Sequence, residues 1–96
     1  MHIKFLEVAQ KELDENVEYY NQESPGLGKR FLDQVLEALD RIGNFPQAWQ
    51  KCTKRTRRCQ LQYFPYGIIY QIRGNEILVV AVANLHREPD YWKDRL

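Results

Sequence analysis

The side chains best suited to acid–base and phosphate chemistry lie just after the most apolar segment of the sequence. That segment, EILVVAVANL at residues 76–85, is followed by HREPDYWKDRL at residues 86–96. The second stretch brings an imidazole, a guanidinium and a phenol together in His86, Arg87 and Tyr91. An imidazole with a pKa of about 6.5 can donate or accept a proton at neutral pH, and a guanidinium binds phosphate well. These residues predict a working surface that handles an anion.

The same side chains also have purely structural interpretations. His86 could hydrogen-bond locally, and Arg87 could pair with a neighbouring carboxylate for less than about 1 kcal/mol. Tyr91 and Trp92 follow Pro89, which turns the chain back, so the two rings could seal the open end of a sheet. We favour a surface role for Arg87 and a packing role for Trp92, and both interpretations stay open for His86 and Tyr91.

A second group of candidate residues is a basic window, residues 51–58, which contains no carboxylate. Residues 1–43 hold nine Asp and Glu against five Lys and Arg, whereas residues 51–96 hold nine Lys and Arg against four Asp and Glu. Such a split indicates a face for an anionic partner, either nucleic acid or an acidic protein segment. The predicted target-binding residues are Lys51, Lys54, Arg55, Arg57 and Arg58.

Length and composition predict an ordinary globular protein. The sequence has 96 residues, of which 44% are hydrophobic and 28% charged, so we expect one domain over residues 1–96. No apolar run approaches the roughly 20 residues that span a bilayer, and the start does not resemble a secretory signal. We therefore expect a cytoplasmic protein without a membrane partner. Cys52 and Cys59 lack metal-ligand spacing, so we expect reduced thiols and no metal or cofactor.

The first half of the sequence has the periodicity of two helices. Apolar residues from Ala9 to Tyr20 recur with helical spacing from position 7 onward, and Glu12, lying off this stripe, is expected to face water. The segment ESPGLGK breaks the pattern, with Gly26 and Gly28 loosening the link. A second helix is predicted over 27–42, and the short link predicts an antiparallel helical hairpin.

The second half of the sequence has the patterns of strands. Segments 57–64 and 67–73 are predicted strands, and GN at 74–75 connects the latter to a buried strand at 76–85. A short strand at 2–5 is also expected. The prediction is an α+β fold of order (β)ααβββ, in which the helical hairpin packs on a small, curved, mainly antiparallel sheet and a short C-terminal tail follows.

Several segments in this order resemble one known family. They are Ala9, Glu12-Leu13 and Tyr19-Tyr20 in the first helix, then SPGLGKRF, FP at 45–46, FPYGIIYQI across the hairpin, and VAV followed by HREPDYW. Together they cover almost the whole chain and resemble the RelE/ParE superfamily of bacterial type II toxins, often called plasmid stabilisation proteins. The resemblance implies a toxin that is neutralised by a cognate antitoxin, with a toxin–antitoxin hetero-oligomer as the expected assembly.

The resemblance implies two activities on this fold. ParE-like members bind DNA gyrase and poison it, whereas RelE-like members act in translation as ribosome-dependent mRNA endoribonucleases. A third alternative is a non-toxic relative that only binds its antitoxin. The RelE pattern would place catalytic roles on Arg58, His86, Arg87 and Tyr91. However, Gln60 stands where that pattern expects Lys and Gly67 where it expects Arg, so the resemblance favours binding of gyrase or the translation machinery.

Overall fold

Two helices lie against one face of a five-stranded sheet in the computed structural model, which describes residues 2–96. The apolar stripe of each helix faces the sheet, because Ala9, Leu13, Phe31 and Val35 are all buried in a core shared with the strands. A single turn of 3-10 helix, Lys93–Arg95, follows the last strand. The elements are β1 (His2–Phe5), α1 (Glu7–Glu23), α2 (Leu27–Asn44), β2 (Gln50–Lys51), β3 (Arg57–Gln60), β4 (Tyr66–Arg73) and β5 (Glu76–Asn84).

The sheet has the strand order β1-β5-β4-β3-β2, and only the β1–β5 pair is parallel. The α+β fold and the order of its elements are thus as predicted, apart from the additional two-residue strand β2. The register of β4 against β5 shifts between Ile69 and Tyr70, which face Ala81 and Val79. Val80 therefore has no residue opposite it and forms a bulge.

The two helices approach each other closely at Gly28, and here the sequence interpretation was wrong. Gly28 does not loosen the link, because it is buried in the first turn of α2 and its N–H donates to Asn21 Oδ1 at 2.9 Å. A Cβ atom at this position would lie 2.3 Å from the Val17 carbonyl oxygen. Gly26, by contrast, does form the link, at a φ of +84°.

The strand predicted at 57–64 ends earlier, at Gln60. Leu61 is buried as expected, but Tyr63 has a φ of +67° and is 85% exposed. Strand geometry requires negative φ, so the alternation of buried side chains cannot continue through Tyr63. Residues 61–65 form a loop before β4 instead.

The sheet face opposite the helices is covered in part by the C-terminal tail. Trp92 is 4% exposed and packs in a second apolar cluster with Ile69, Val80, Ala81 and Ala83. The structure therefore confirms the predicted packing role of Trp92. Of the described residues 2–96, none belongs to a helix that is both long and apolar enough to cross a membrane.

Candidate functional site

Five cations surround one cleft of about 470 Å³ at the β2 end of the sheet. We call this the basic cleft. Thr56, Gln71 and Ile72 complete its lining. Four of the cations were predicted from the basic window, and the fifth, from the end of β4, was not. The five are Lys51, Lys54, Arg55, Arg57 and Arg73.

The backbone of the basic cleft is held by a tight turn. The Thr53 hydroxyl oxygen accepts hydrogen bonds from the backbone N–H groups of Arg55 and Thr56, at 3.2 and 3.1 Å. The Cys52 N–H donates to the Thr56 carbonyl at 2.9 Å. The guanidinium of Arg57 donates to the carbonyl oxygens of residues 47 and 49, at 3.0 and 2.8 Å. The positive groups are thus displayed on an ordered hairpin.

The cations of the basic cleft are not neutralised within the part of the chain that the structure describes. Every ion pair found among residues 2–96 involves other basic residues. Arg73 instead donates from Nε to the side-chain oxygen of Gln71. Uncompensated charges of one sign around a concave surface concentrate a positive potential there.

The remaining predicted arginines border a smaller cleft of about 160 Å³ on the tail side of the sheet, which we call the arginine cleft. Arg58, Arg87 and Tyr91 are among its lining residues. Arg58 extends over Gly67, where an added Cβ atom would lie 3.0 Å from Arg58 Cγ. Arg58 therefore lies apart from the four predicted cations of the basic cleft. The structure brings Arg58 together with Arg87 and Tyr91.

His86 is the one predicted catalytic residue outside the lining of the arginine cleft. Its side chain is exposed, and its backbone N–H donates to Asn84 Oδ1 at 2.9 Å. Arg87 is also exposed, but its guanidinium carbon lies 4.0 Å from the centroid of the Tyr91 ring. This distance corresponds to a cation–π contact.

The Tyr91 hydroxyl is engaged by a buried ion pair. It donates to Glu12 Oε2 at 2.7 Å, and Arg95 binds the two Glu12 oxygens at 2.8 and 2.9 Å. Burial raises the pKa of Tyr91, and the hydrogen bond to Glu12 raises it further. The hydrogen bonds that Arg95 itself donates to Glu12 raise the pKa of Arg95. The phenol is therefore neutral at physiological pH and directed at Glu12.

Glu12 also closes the edge of β5, and the prediction that Glu12 faces water was wrong. β1 pairs with β5 only as far as Val79, so beyond that point β5 has no strand on the side opposite β4. Glu12 Oε1 accepts from the Val82 N–H at 3.1 Å, and Arg95 donates to the Val80 carbonyl at 3.1 Å. Glu12 and Arg95 side chains are only 15% and 16% exposed. The available signal was the position of Glu12 three residues after buried Ala9, which puts it beside the apolar stripe.

Neither cysteine has the surroundings of a reactive thiol or a metal ligand. Burial raises the pKa of both Cys52 and Cys59, which favours the less reactive thiol form. Cys59 belongs to the core beneath the helices. Among residues 2–96, no three His, Cys, Asp or Glu side chains are grouped closely enough to hold a metal ion.

The family of this chain follows from a match over nearly its whole length. The model of the ParE toxin of the type II toxin–antitoxin system, parDE, matches residues 3–91. The chain belongs to the ParE toxin family. The predicted membership of the RelE/ParE superfamily is thereby confirmed, and the protein is the toxin component of a type II toxin–antitoxin system. No curated protein matches this toxin.

A solved structure independently supports the fold of this toxin. A chain of the chromosomal ParDE TA system from P. aeruginosa superposes with a TM-score of 0.77, covering 88% of this chain and 96% of that one. The two sequences are 17% identical. The predicted α+β arrangement is therefore a fold seen in that system.

Proposed function

We propose that this toxin arrests bacterial growth by binding DNA gyrase in the cytoplasm and is neutralised by a cognate antitoxin. The gyrase target is the activity that ParE-like members carry on this fold. The antitoxin is inferred from the similar structure, which is that of a ParDE toxin–antitoxin system. Arg87, with its exposed guanidinium beside the arginine cleft, is the residue assigned to contact with the target.

The observation that favours binding over RNA cleavage is the Tyr91–Glu12–Arg95 cluster. Metal-free cleavage of RNA needs a group that protonates the leaving oxygen and others that stabilise the crowded phosphate. The Tyr91 hydroxyl already donates a hydrogen bond to Glu12 at 2.7 Å, and Arg95 in turn binds Glu12. Gln60 and Gly67 supply no cation where the RelE pattern has two. A binding surface needs none of these groups.

A second candidate function, RNA cleavage, is favoured by one specific feature. Arg58 and Arg87 border the same cleft, and two guanidiniums there could hold a phosphodiester. His86, exposed next to Arg87, could then take or give a proton. In this version Tyr91 would position Arg87 through its ring and would not transfer a proton.

Controlled induction of the toxin in a bacterium separates these functions. We expect DNA-damage signalling and trapped gyrase–DNA complexes, with transcripts of normal length. Shortened transcripts cut at preferred codons would instead establish the nuclease. Normal growth would contradict both and indicate a relative that only binds its antitoxin.

Arg87→Ala tests the residue assignment. We expect this substitution to reduce growth arrest at least about tenfold, since a hot-spot arginine contributes more than about 1.4 kcal/mol to binding. Antitoxin binding should stay measurable in a pull-down. The matched control is Lys4→Ala, which removes an exposed cation from β1. Lys4 forms an ion pair with Glu76 at 3.4 Å. Undiminished toxicity of Arg87→Ala, with Lys4→Ala also fully toxic, would refute the assignment.

A further inference from the structure

We propose that the basic cleft is a binding site for the phosphate backbone of duplex DNA, separate from the arginine cleft. The basic cleft combines five cations with a volume of about 470 Å³, and Arg58 and Arg87 do not line it. A second, distinct surface is therefore available for an anion while the arginine cleft is engaged elsewhere.

The charges of the basic cleft fit a polyanion. Duplex DNA carries one negative charge per roughly 1.7 Å of its axis, so several phosphates can face one concave surface. Lys51, Lys54 and Arg55 are exposed, and no described carboxylate lies within ion-pair distance of them. The Arg57 guanidinium is held by hydrogen bonds to two backbone carbonyls, so it is a positive charge with a fixed position in the lining of the basic cleft. Arg57 is thus already in place before a phosphate binds.

The lining disfavours an acidic protein segment as the occupant. Protein interfaces depend on apolar and aromatic anchors in a buried centre, whereas the basic cleft has Ile72 as its single apolar lining residue. Strand addition would need a long free edge, and β2 has only two residues, Gln50–Lys51. Phosphates require positive charge and hydrogen-bond donors, which this lining supplies.

The lining also disfavours a single strand. Proteins that bind single-stranded nucleic acid stack its bases on aromatic rings, and the basic cleft is lined by no aromatic side chain. Gln71 is the one side-chain amide in the lining. It is buried and accepts a hydrogen bond from Arg73, so it is not available to hydrogen-bond with a base edge. We therefore expect a duplex to bind through its backbone, without sequence preference. The choice of DNA over an RNA duplex rests on the proposed gyrase target.

The experiment measures fluorescence anisotropy of a labelled duplex of about 20 base pairs, without gyrase, at salt concentrations from about 50 to 200 mM. With about four phosphates contacted, affinity should fall on the order of 100-fold across this range. Because gyrase is absent, failure here leaves the proposed gyrase target untouched. Failure of gyrase poisoning would equally leave DNA binding intact.

Two triple variants separate the position of the charges from their number. Lys51→Gln/Lys54→Gln/Arg55→Gln removes three cations of the basic cleft. Its control, Lys11→Gln/Lys29→Gln/Arg30→Gln, lowers the net charge by the same three on the exposed surface of the helices. At about 50 mM salt the first should bind at least about 30-fold more weakly than wild type, and the control less than about threefold more weakly. Circular dichroism verifies that both fold.

Other results would overturn the proposal. Equal losses of duplex affinity in the two variants would mean that binding depends only on the net charge of the protein. Tighter binding of a single strand, or of an RNA duplex of equal length, would identify a different nucleic acid. Absence of duplex binding combined with capture of polyglutamate would identify an acidic protein segment.

Discussion

At the scale of single residues, Glu12 holds the C-terminal tail to the body of the toxin. Its carboxylate accepts from Arg95, Tyr91 and the Val82 N–H, so donors from β5 and from the C-terminal tail meet at one side chain of α1. Each of these donors is partly or wholly removed from water. A buried donor that loses its acceptor still carries the free-energy cost of desolvation, and no hydrogen bond offsets that cost.

Glu12→Ala is therefore expected to lower the free energy of unfolding by about 3 kcal/mol, because it leaves Arg95 charged and unpaired in a mostly buried position. Urea unfolding monitored by tryptophan fluorescence measures the change. The matched control is Glu15→Ala, one turn away in sequence, which removes an exposed carboxylate 3.8 Å from Lys11. The control should cost less than about 1 kcal/mol. Equal losses in the two variants would show that Glu12 is not a structural centre.

Tyr70 predicts how stability changes at high pH. Its hydroxyl donates to the Pro46 carbonyl at 2.6 Å, and burial raises its pKa to about 12. The unfolded chain ionises the phenol at about pH 10. The folded state thus favours the protonated phenol, and this contribution to stability is complete below about pH 10 and lost as the pH rises towards about 12.

We expect the free energy of unfolding to fall between about pH 10 and about pH 12, and to fall less steeply in Tyr70→Phe. At neutral pH the variant should lose about 1 kcal/mol with its hydrogen bond. Burial also raises the pKa of Tyr66 and Tyr91, so part of the slope persists. Denaturant titrations across this pH range provide the measurement. Identical slopes in the two proteins would contradict the assignment to Tyr70.

At the scale of elements, the spacing of the helical hairpin depends on one missing side chain. α1 and α2 are joined by a left-handed turn at Gly26, and they touch where Gly28 meets Val17 and Asn21. A β-carbon there would lie 2.3 Å from a backbone oxygen, a contact that requires the helices to separate. Gly43, near the other end of α2, has no such neighbour within 4 Å.

Gly28→Ala and Gly43→Ala should consequently have opposite effects. The first should destabilise the toxin by about 1 to 3 kcal/mol, the range of overpacking. The second should stabilise it by about 0.5 to 1 kcal/mol, because alanine loses less backbone entropy in a helix and meets nothing. Thermal unfolding of the two variants is the test. A stabilising Gly28→Ala would show that the helices are not in close contact there.

At the scale of the whole molecule, the sequence predicts what depends on local spacing. The helical stripes carry a period of 3.6 residues, and segment 76–85 is a continuous apolar run typical of a buried strand. The corresponding elements are present. Strand β2 has two residues and no period, so it could not be predicted. Tyr63 fits the alternation of β3 by type, but its backbone has positive φ, which no side-chain pattern records.

The candidate site was predicted less completely, because its parts meet through distant contacts. The basic window was recognisable as a run of charge, but the division into two clefts depends on which side of β3 each side chain takes. Arg73 joins the basic cleft only because β4 returns beside β3. Arg95 and Glu12, 83 residues apart, carry no mutual signal in one sequence.

The parallel pairing of β1 with β5 has a consequence for how the toxin folds during its synthesis. His2 pairs with Glu76, and Glu12 with Arg95. β1 cannot complete its pairing until β5 has been synthesised, and such distant pairings form slowly. A newly made toxin molecule thus passes through an immature interval in which its helices can form before its sheet is complete.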